Sequence, residues 1–467
     1  MRQAVVDFTM PSPPSSLASI EFSDRFSDEE EGDGSECSVM MATIGLDFAD
    51  PSNVIGPAGL RSLVSCLETD GGTSTNGYQI NLMSLDVSGS HITGSIGSSS
   101  LAGDLDLDLS GLRALCDCRS FAGNGVLLHG RPACALGRLC LSDTGLGFEG
   151  LDLLLSTVGR SLSILELGRN PFSDRGVQRL AKVLGGSQAL EELRLPGCAL
   201  GPRAAAALAQ LLCHPDGSRL RVLDVAENWL AGLDFAARGA PDTSGLAALG
   251  DALAWMGGGG GRVAAASGSS SLTELNLSKN SFTASAARAL APGLSACFGL
   301  RRLDLSYNRL GDSGLAELAH ALQQVTAGSS AAAGRHQRRQ RRPGLRTLNL
   351  AHNWLYARSA MLLAGVLRDA LHLYELELSD NFLGGDTLDA EPTALRALAG
   401  TVQWLASSDG GQLRCLGLRG CRIGAACARA FHVALCTTAS VEPPASATAF
   451  TTAAAEAVAP DEKEGEG

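Results

Sequence analysis

"LRTLNLAHNWL" occupies residues 345–355, and residues 300–310 read "LRRLDLSYNRL". Both stretches have leucine at their first, fourth, sixth and eleventh positions and asparagine at the ninth. The same pattern, with a few replacements by similar residues, recurs in six further stretches: 162–172, 190–200, 220–230, 272–282, 373–383 and 413–423. Leu275 and Leu303 occupy equivalent positions 28 residues apart. Repetition on this scale indicates a repeat array, in which each unit stacks on its neighbours.

Each unit is predicted to form one strand and one helix. Leu303 and Leu305 alternate with polar residues, which is the period of a strand with one buried face. In the following stretch, 311–322, apolar residues recur at helical spacing. Strands and helices that alternate in this sense give parallel strands with right-handed crossovers. The predicted fold class is therefore an α/β solenoid, a horseshoe with its strands on the concave face and its helices on the convex face.

The repeated asparagine is predicted to hold the chain where it leaves each strand. A buried side-chain amide at this point can hydrogen-bond the unpaired backbone groups of its own turn and of the adjacent turn. The residues in question are Asn170, Asn228, Asn280, Asn308, Asn353 and Asn381. Other units place a smaller side chain at the same position: Thr144, Cys198 and Cys421.

Composition divides the chain into three regions. Residues 1–41 and 437–467 are rich in Ser, Pro, Ala or acidic residues and are predicted to be disordered, because they bury too little apolar surface. Residues 42–436 are predicted to hold about eleven repeat units. Five insertions are predicted to interrupt them, near 94–135, 231–245, 257–271, 326–344 and 384–393.

The 28-residue unit LxxLxLxx(N/C)xL with a full helix resembles the leucine-rich repeat of the ribonuclease-inhibitor type. Ran GTPase-activating proteins and the nucleotide-binding oligomerisation-domain receptors share this subtype. The resemblance covers roughly residues 44–436. It implies a horseshoe fold, and it leaves the function open because function depends on surface residues grafted onto that fold.

Charge and motifs exclude several classes of function. A formal net charge of −12 argues against nucleic acid as the main partner. No apolar run is long enough to span a membrane, and the N-terminal stretch does not resemble a secretory signal. The expected compartment is cytoplasmic, with a nuclear location as the alternative because residues 335–342 contain five arginines. Neither catalytic motifs nor zinc-binding cysteine spacings occur, so we expect no enzyme activity, cofactor or metal.

Two sets of residues are candidates for binding a partner. Strand positions that point away from the leucine core are mostly acidic, and an acidic face attracts a basic partner. The alternative is that these positions are acidic only because they face solvent. The candidates in this set are Glu166, Asp224, Glu274, Asp304, Glu375 and Glu377. In the second set, Trp229, Trp354 and Phe382 each follow the repeated asparagine, where they either anchor a partner or fill space between loops.

The leading hypothesis is a non-enzymatic scaffold that binds a protein through the strand face and the strand-exit loops. The alternative is a GTPase-activating protein that resembles the Ran regulator and acts on a small GTPase. No catalytic arginine of that family can be placed in this chain, because its first units are interrupted.

Overall fold

The structure is a computed structural model, and it describes residues 40–436 with twelve gaps. The gaps are residues 50–54, 74–77, 94–107, 118–135, 158–161, 188, 215–217, 233–240, 258–271, 328–343, 385–391 and 408–410. The chain divides into two compact units, one up to Pro171 and one from Phe172 onward.

The first unit contains four strands and three helices among its described residues. They are β1 (Met40–Asp47), α1 (Pro57–Thr73), β2 (Tyr78–Asp86), α2 (Ser110–Asp117), β3 (Arg138–Cys140), α3 (Phe148–Thr157) and β4 (Ile164–Glu166). The strands pair in parallel in chain order, with Leu85, Leu139 and Leu165 in register.

The described part of the second unit contains seven strands and eight α-helices. They are α4 (Ser173–Leu184), β5 (Glu192–Arg194), α5 (Pro202–Leu212), β6 (Val222–Asp224), α6 (Ser244–Gly257), β7 (Glu274–Asn276), α7 (Ala284–Ala296), β8 (Arg302–Asp304), α8 (Gly311–Ala327), β9 (Thr347–Asn349), α9 (Ala357–Val366), β10 (Glu375–Glu377), α10 (Thr393–Ser407), β11 (Cys415–Gly417) and α11 (Ala425–Cys436). A short 3₁₀ turn, Leu367–Asp369, follows α9.

All pairings between neighbouring strands of the second unit are parallel and follow chain order from β5 to β11. Each helix of this unit also contacts the next helix along the chain. The predicted α/β repeat architecture, one strand and one helix per unit, is therefore confirmed.

The leucines form the core between the strand layer and the helix layer. The middle residue of each strand from β5 to β10 is a leucine that is at most 1% exposed: Leu193, Leu223, Leu275, Leu303, Leu348 and Leu376. Each leucine is in register with the leucine of the next strand. Because a strand alternates its side chains between two faces, the residues on either side of each leucine point the other way.

Several predicted boundaries fall in or near the gaps. Strand β1 begins at Met40, two residues before the predicted start of the repeat region. Helix α2 lies inside the predicted insertion 94–135 and buries Leu112 and Leu115, so this part of the insertion belongs to a repeat. Residues 1–39 and 437–467, most of the predicted disordered segments, lie outside the described residues. Within the described residues, no helix combines the length and the apolar character needed to cross a membrane.

Candidate functional site

The strand face of the second unit carries two parallel columns of side chains. Strands β5 to β10 each present the residue before and the residue after the buried leucine. The first column is Glu192, Val222, Glu274, Arg302, Thr347 and Glu375, and the second is Arg194, Asp224, Asn276, Asp304, Asn349 and Glu377. Strand register places neighbouring members of a column side by side.

These columns line a groove that is acidic. Its charged residues, which define what we call the strand groove, are five carboxylates and two guanidinium groups with a net charge of −3: Asp224, Glu274, Asp304, Glu375, Glu377, Arg194 and Arg302. The structure thus brings together five of the six acidic candidates on one surface.

Ion pairs neutralise only part of this charge. Arg302 lies 3.5 Å from Glu274, and Arg194 lies 2.7 Å from Glu192. Among the described residues, the remaining four groove carboxylates have no lysine or arginine within ion-pair distance: Asp224, Asp304, Glu375 and Glu377. These four carboxylates are therefore not neutralised by an ion pair.

The second column has an additional structural role that the sequence interpretation missed. Asp304 Oδ1 accepts a hydrogen bond from the backbone N–H of Ser306 at 2.9 Å, and Glu377 Oε1 accepts one from Ser379 at 2.9 Å. Asn349 occupies the same position in its repeat and makes the same bond through its amide oxygen, to the N–H of Ala351. Each such bond closes the turn after the strand, so the carboxylates are held in place rather than simply facing solvent.

Asp224 shows the electrostatic consequence of this arrangement. Burial in the groove raises the pKa of its carboxyl group, and the neighbouring charge of Asp304 raises it further. Hydrogen bonds from the backbone of Ala226 and the side chain of Asn276, together with the positive charge of Arg194, oppose this rise in pKa and do not cancel it. A cation placed beside Asp224 would relieve the cost of its charge.

Glu166 is separate from the groove. It ends β4 in the first unit, where its carboxylate lies 3.2 Å from Arg138. Both side chains are partly exposed, and such a pair contributes little to stability.

The strand-exit loops are held by the asparagine side chains, as predicted. Asn308 is 3% exposed, and its amide nitrogen donates to the carbonyl oxygens of Leu277, Leu305 and Ser306 at 2.9–3.2 Å. Its amide oxygen accepts the N–H groups of Asn280 and Phe282 at 2.9 and 3.0 Å. The other five asparagines are fully buried, and the amide nitrogen of each donates to carbonyl oxygens in the same way: Asn170, Asn228, Asn280, Asn353 and Asn381. The amide oxygens of all but Asn353 also accept backbone N–H groups.

The smaller residues at the asparagine position also hydrogen-bond. Thr144 Oγ1 donates to the carbonyl of Leu141 at 2.8 Å. The Cys421 thiol contacts the carbonyl oxygen of Leu378 at 3.1 Å, and the Cys198 thiol contacts that of Pro196 at 3.6 Å.

The three candidate aromatics lie at the same position in their repeats, but their surroundings differ. Trp354 and Trp229 are 51% and 43% exposed. Phe382 is half-buried, because the ring of Tyr356 stacks on it with centroids 5.1 Å apart and the guanidinium of Arg422 lies 4.3 Å from its centroid. Trp229 lines a separate shallow hollow in the second unit.

A row of contacts that sequence reasoning did not identify lies immediately before the asparagines. Lys279 forms an ion pair with Glu227 and lies 5.4 Å from the ring centroid of Tyr307. Tyr307 stacks on His352 with centroids 4.0 Å apart, and His352 Nε2 lies 2.9 Å from Asp380 Oδ2. Comparing the residue before each asparagine across repeats would have indicated this row.

The described residues include no cluster of three or more histidine, cysteine or acidic side chains able to hold a metal ion. Burial raises the pKa of two thiols, Cys140 and Cys297, to about 12, which suppresses the reactive thiolate at neutral pH. Both cysteines are buried, and Cys140 Sγ also accepts a hydrogen bond from Arg138 Nε at 3.3 Å.

Comparison with known proteins found a matching repeat model and curated relatives of low sequence identity. A family model described as Leucine Rich repeat matches residues 268–291 and 296–319. Ribonuclease inhibitor from Sus scrofa is 29% identical over 320 residues, which are 67% of this chain and 58% of that protein. NACHT, LRR and PYD domains-containing protein 14 from Mus musculus is 27% identical over 296 residues, 63% of this chain and 25% of that protein.

Among solved structures, the complex of Rad7 and Elc1 in yeast is 16% identical with a TM-score of 0.34, covering 79% of this chain and 78% of that chain. This chain spans less than two thirds of the length of the two curated relatives above.

Proposed function

We propose that this chain, which is similar to leucine-rich repeat proteins of the ribonuclease-inhibitor type, is a non-enzymatic protein that binds a basic protein partner through the strand groove. The observation that carries the proposal is the set of four carboxylates without an ion-pair partner: Asp224, Asp304, Glu375 and Glu377. The pig relative is named for inhibiting a ribonuclease, which supports a protein as the partner class here.

The groove is suited to this role because its charges are fixed before a partner arrives. Turn hydrogen bonds hold Asp224, Asp304 and Glu377, so binding costs little side-chain ordering at these positions. Lysine and arginine side chains of a partner would replace the missing counter-charges. Complementary charge of this kind speeds association and selects against acidic proteins.

The three candidate aromatics and Glu166 are the remaining residues that we propose to bind the partner. Trp229, Trp354 and Phe382 are proposed to anchor the complex after it forms, because aromatic side chains that become buried dominate binding energy. Glu274 and Glu166 each already have an arginine nearby, and we propose that they contribute less. Glu166 would act on the strand face of the first unit alone.

The proposal is tested with a variant that removes charge and keeps the turns. Asparagine already occupies the Asp304 position in two other repeats, as Asn276 and Asn349, and makes the same turn bond there. The groove-neutralised variant therefore carries Asp224→Asn, Asp304→Asn, Glu375→Gln and Glu377→Gln. A matched control removes four carboxylates outside the groove: Glu149→Gln, Glu191→Gln, Asp251→Asn and Glu317→Gln.

Both variants and the wild-type chain are used to capture proteins from a cell extract, and the captured proteins are identified by mass spectrometry. We expect basic proteins that the wild type and the matched control retain and that the groove-neutralised variant loses. Equal retention by the groove-neutralised variant would show that the groove is not the binding surface.

A further inference from the structure

Four side chains at the strand-exit edge of the second unit, two cations and two aromatic rings, form a row that can serve as a second binding surface. The edge strip consists of Arg309, Trp354, Phe382 and Arg422, which follow the asparagine, or the cysteine in the last case, in four consecutive repeats. Arg309 lies 5.6 Å from the ring centroid of Trp354, and Arg422 lies 4.3 Å from that of Phe382. The strip therefore has two aromatic rings between two cations.

The fold itself does not require aromatic rings at this position. Trp354 has a left-handed backbone with φ of 57°. Ala199 and Ser281 stand at the same position of other repeats with φ of 58° and 56°. A small side chain therefore satisfies the turn. A tryptophan that stays half exposed there is better explained by a ligand than by packing.

The charge of the strip is opposite to that of the strand groove. Among the described residues, Arg309 has no carboxylate within ion-pair distance, and its guanidinium lies over the face of Trp354. A guanidinium that rests on an aromatic face keeps its outward N–H groups available for a carboxylate. Tyr356, 37% exposed and stacked on Phe382, widens the apolar part of the strip.

We propose that the edge strip binds an extended acidic protein segment that carries an aromatic residue between its carboxylates. Neighbouring strands are about 4.8 Å apart, so arginines three repeats apart are separated by about 14 Å. An extended chain advances about 3.4 Å per residue, so two carboxylates four residues apart span the same distance. The two arginines would bind the carboxylates, and the ring between them would pack on Trp354 and Phe382.

A protein segment fits this surface better than single-stranded nucleic acid, although bases also stack on aromatic rings. The groove of net charge −3 in the same unit repels any anion, and a nucleic acid with one phosphate per nucleotide brings more negative charge to it than a segment with two carboxylates does. The inference rests on the proposed protein-binding function and shares Trp354 and Phe382 with it, but it uses none of the charged residues that define the strand groove.

The test uses a synthetic peptide with two glutamates four residues apart and a phenylalanine between them, and measures its binding to the full chain by fluorescence anisotropy. A glutamine version of the peptide and a single-stranded oligonucleotide are the comparison probes. The protein variants are Arg309→Gln and Trp354→Ser, because serine is the residue at this position in another repeat. Arg301→Gln, in the same repeat as Arg309 and outside the strip, is the matched control.

We expect the acidic peptide to bind the wild type and the Arg301→Gln control equally, and to bind the Arg309→Gln variant about ten-fold more weakly, since bonds to charged groups are the strong ones. The Trp354→Ser variant should also bind more weakly while keeping its thermal midpoint. The groove-neutralised variant should bind the acidic peptide at least as tightly as the wild type does, even if it loses every basic partner, because it repels the peptide less.

Three results would overturn the inference: no binding of the acidic peptide to the wild type, equal binding of the glutamine version, or tighter binding of the oligonucleotide. Loss of the acidic peptide by the groove-neutralised variant would also overturn it, since binding would then depend on the groove. The groove proposal fails by a separate result, namely that the groove-neutralised variant still retains the captured basic proteins.

Discussion

At the scale of single residues, polar side chains at the strand ends carry both structure and surface chemistry. The asparagines are buried and bond mainly to the backbone, as their strict position in the repeat predicts. Asp224 and Asp304, the last residues of their strands, have a structural role and a surface role. One carboxylate oxygen of each closes a turn, while the carboxylate as a whole faces the groove. Sequence alternation predicts which way Asp304 points, but it does not reveal the bond to Ser306.

Replacement of Asn308 tests the role of the asparagines. We expect Asn308→Ala to lower the free energy of unfolding by about 1–3 kcal/mol, because buried N–H and C=O groups of two turns lose their partner. Asn308→Thr should cost less, since Thr144 occupies the equivalent position in another repeat and still donates a hydrogen bond. Chemical denaturation measures both changes. An Asn308→Ala variant as stable as the wild type would mean that these hydrogen bonds contribute nothing.

The raised pKa of Asp224 predicts how stability depends on pH. Burial makes the folded chain hold the Asp224 proton to a higher pH than the unfolded chain does. The free energy of unfolding therefore decreases as the pH rises from 3.8, the ordinary aspartate pKa, through the raised pKa of folded Asp224. Above the raised pKa, the loss of stability that Asp224 causes stays constant.

Asp224→Asn removes this cost and keeps an oxygen for the turn bond to Ala226. We expect the variant to gain stability relative to the wild type between acidic and neutral pH. Below the ordinary aspartate pKa the difference between the two proteins should reach a constant minimum. Urea denaturation at a series of pH values measures the difference, and a difference that does not change with pH would contradict the electrostatic account of Asp224.

At the scale of elements, the leucine pattern predicts strands well and helices less completely. Each three-residue strand from β5 to β11 lies inside its predicted stretch, because the alternation of buried and exposed positions is local. Helix α2 was assigned to an insertion, since only eight residues, surrounded by glycine, serine and aspartate, carry its pattern. Contacts such as Tyr307 on His352 depend on which residues adjacent repeats place side by side, and no single repeat encodes them.

Helices α6 and α7 approach so closely that only glycine fits between them. A Cβ atom added to Gly293 would lie 2.2 Å from the backbone oxygen of Gly250. We expect Gly293→Ala to destabilise the chain by about 1–3 kcal/mol, as overpacking does.

Gly400 in α10 is the matched control, because an added Cβ meets nothing within 4 Å there. Alanine has the higher helix propensity, so Gly400→Ala should be neutral or stabilising by up to about 1 kcal/mol. Relative to the wild type, the denaturant midpoint of Gly293→Ala should therefore fall, and that of Gly400→Ala should stay the same or rise. A Gly293→Ala variant no less stable than Gly400→Ala would show that the helices are not this close.

At the scale of the whole molecule, we propose that recognition uses surfaces of opposite charge on the second unit. The overall charge of −12 predicts a preference for basic partners. It does not predict that the unpaired carboxylates gather in one groove, or that arginines and aromatic rings gather at the edge. Those arrangements follow from repeat register, which brings distant residues such as Asp224 and Asp304 onto one face.

The central claim is that the strand groove attracts basic protein surfaces by its charge. The most direct measurement is the association rate of a lysine-rich peptide at low and moderate salt, with the wild type, the groove-neutralised variant and the matched control. Electrostatic attraction between exposed charges weakens with added salt, so the rates for the wild type and the control should fall steeply. The groove-neutralised variant should associate on the order of ten-fold more slowly at low salt and depend only weakly on salt. If its rate and salt dependence equal those of the matched control, the groove is not the recognition surface.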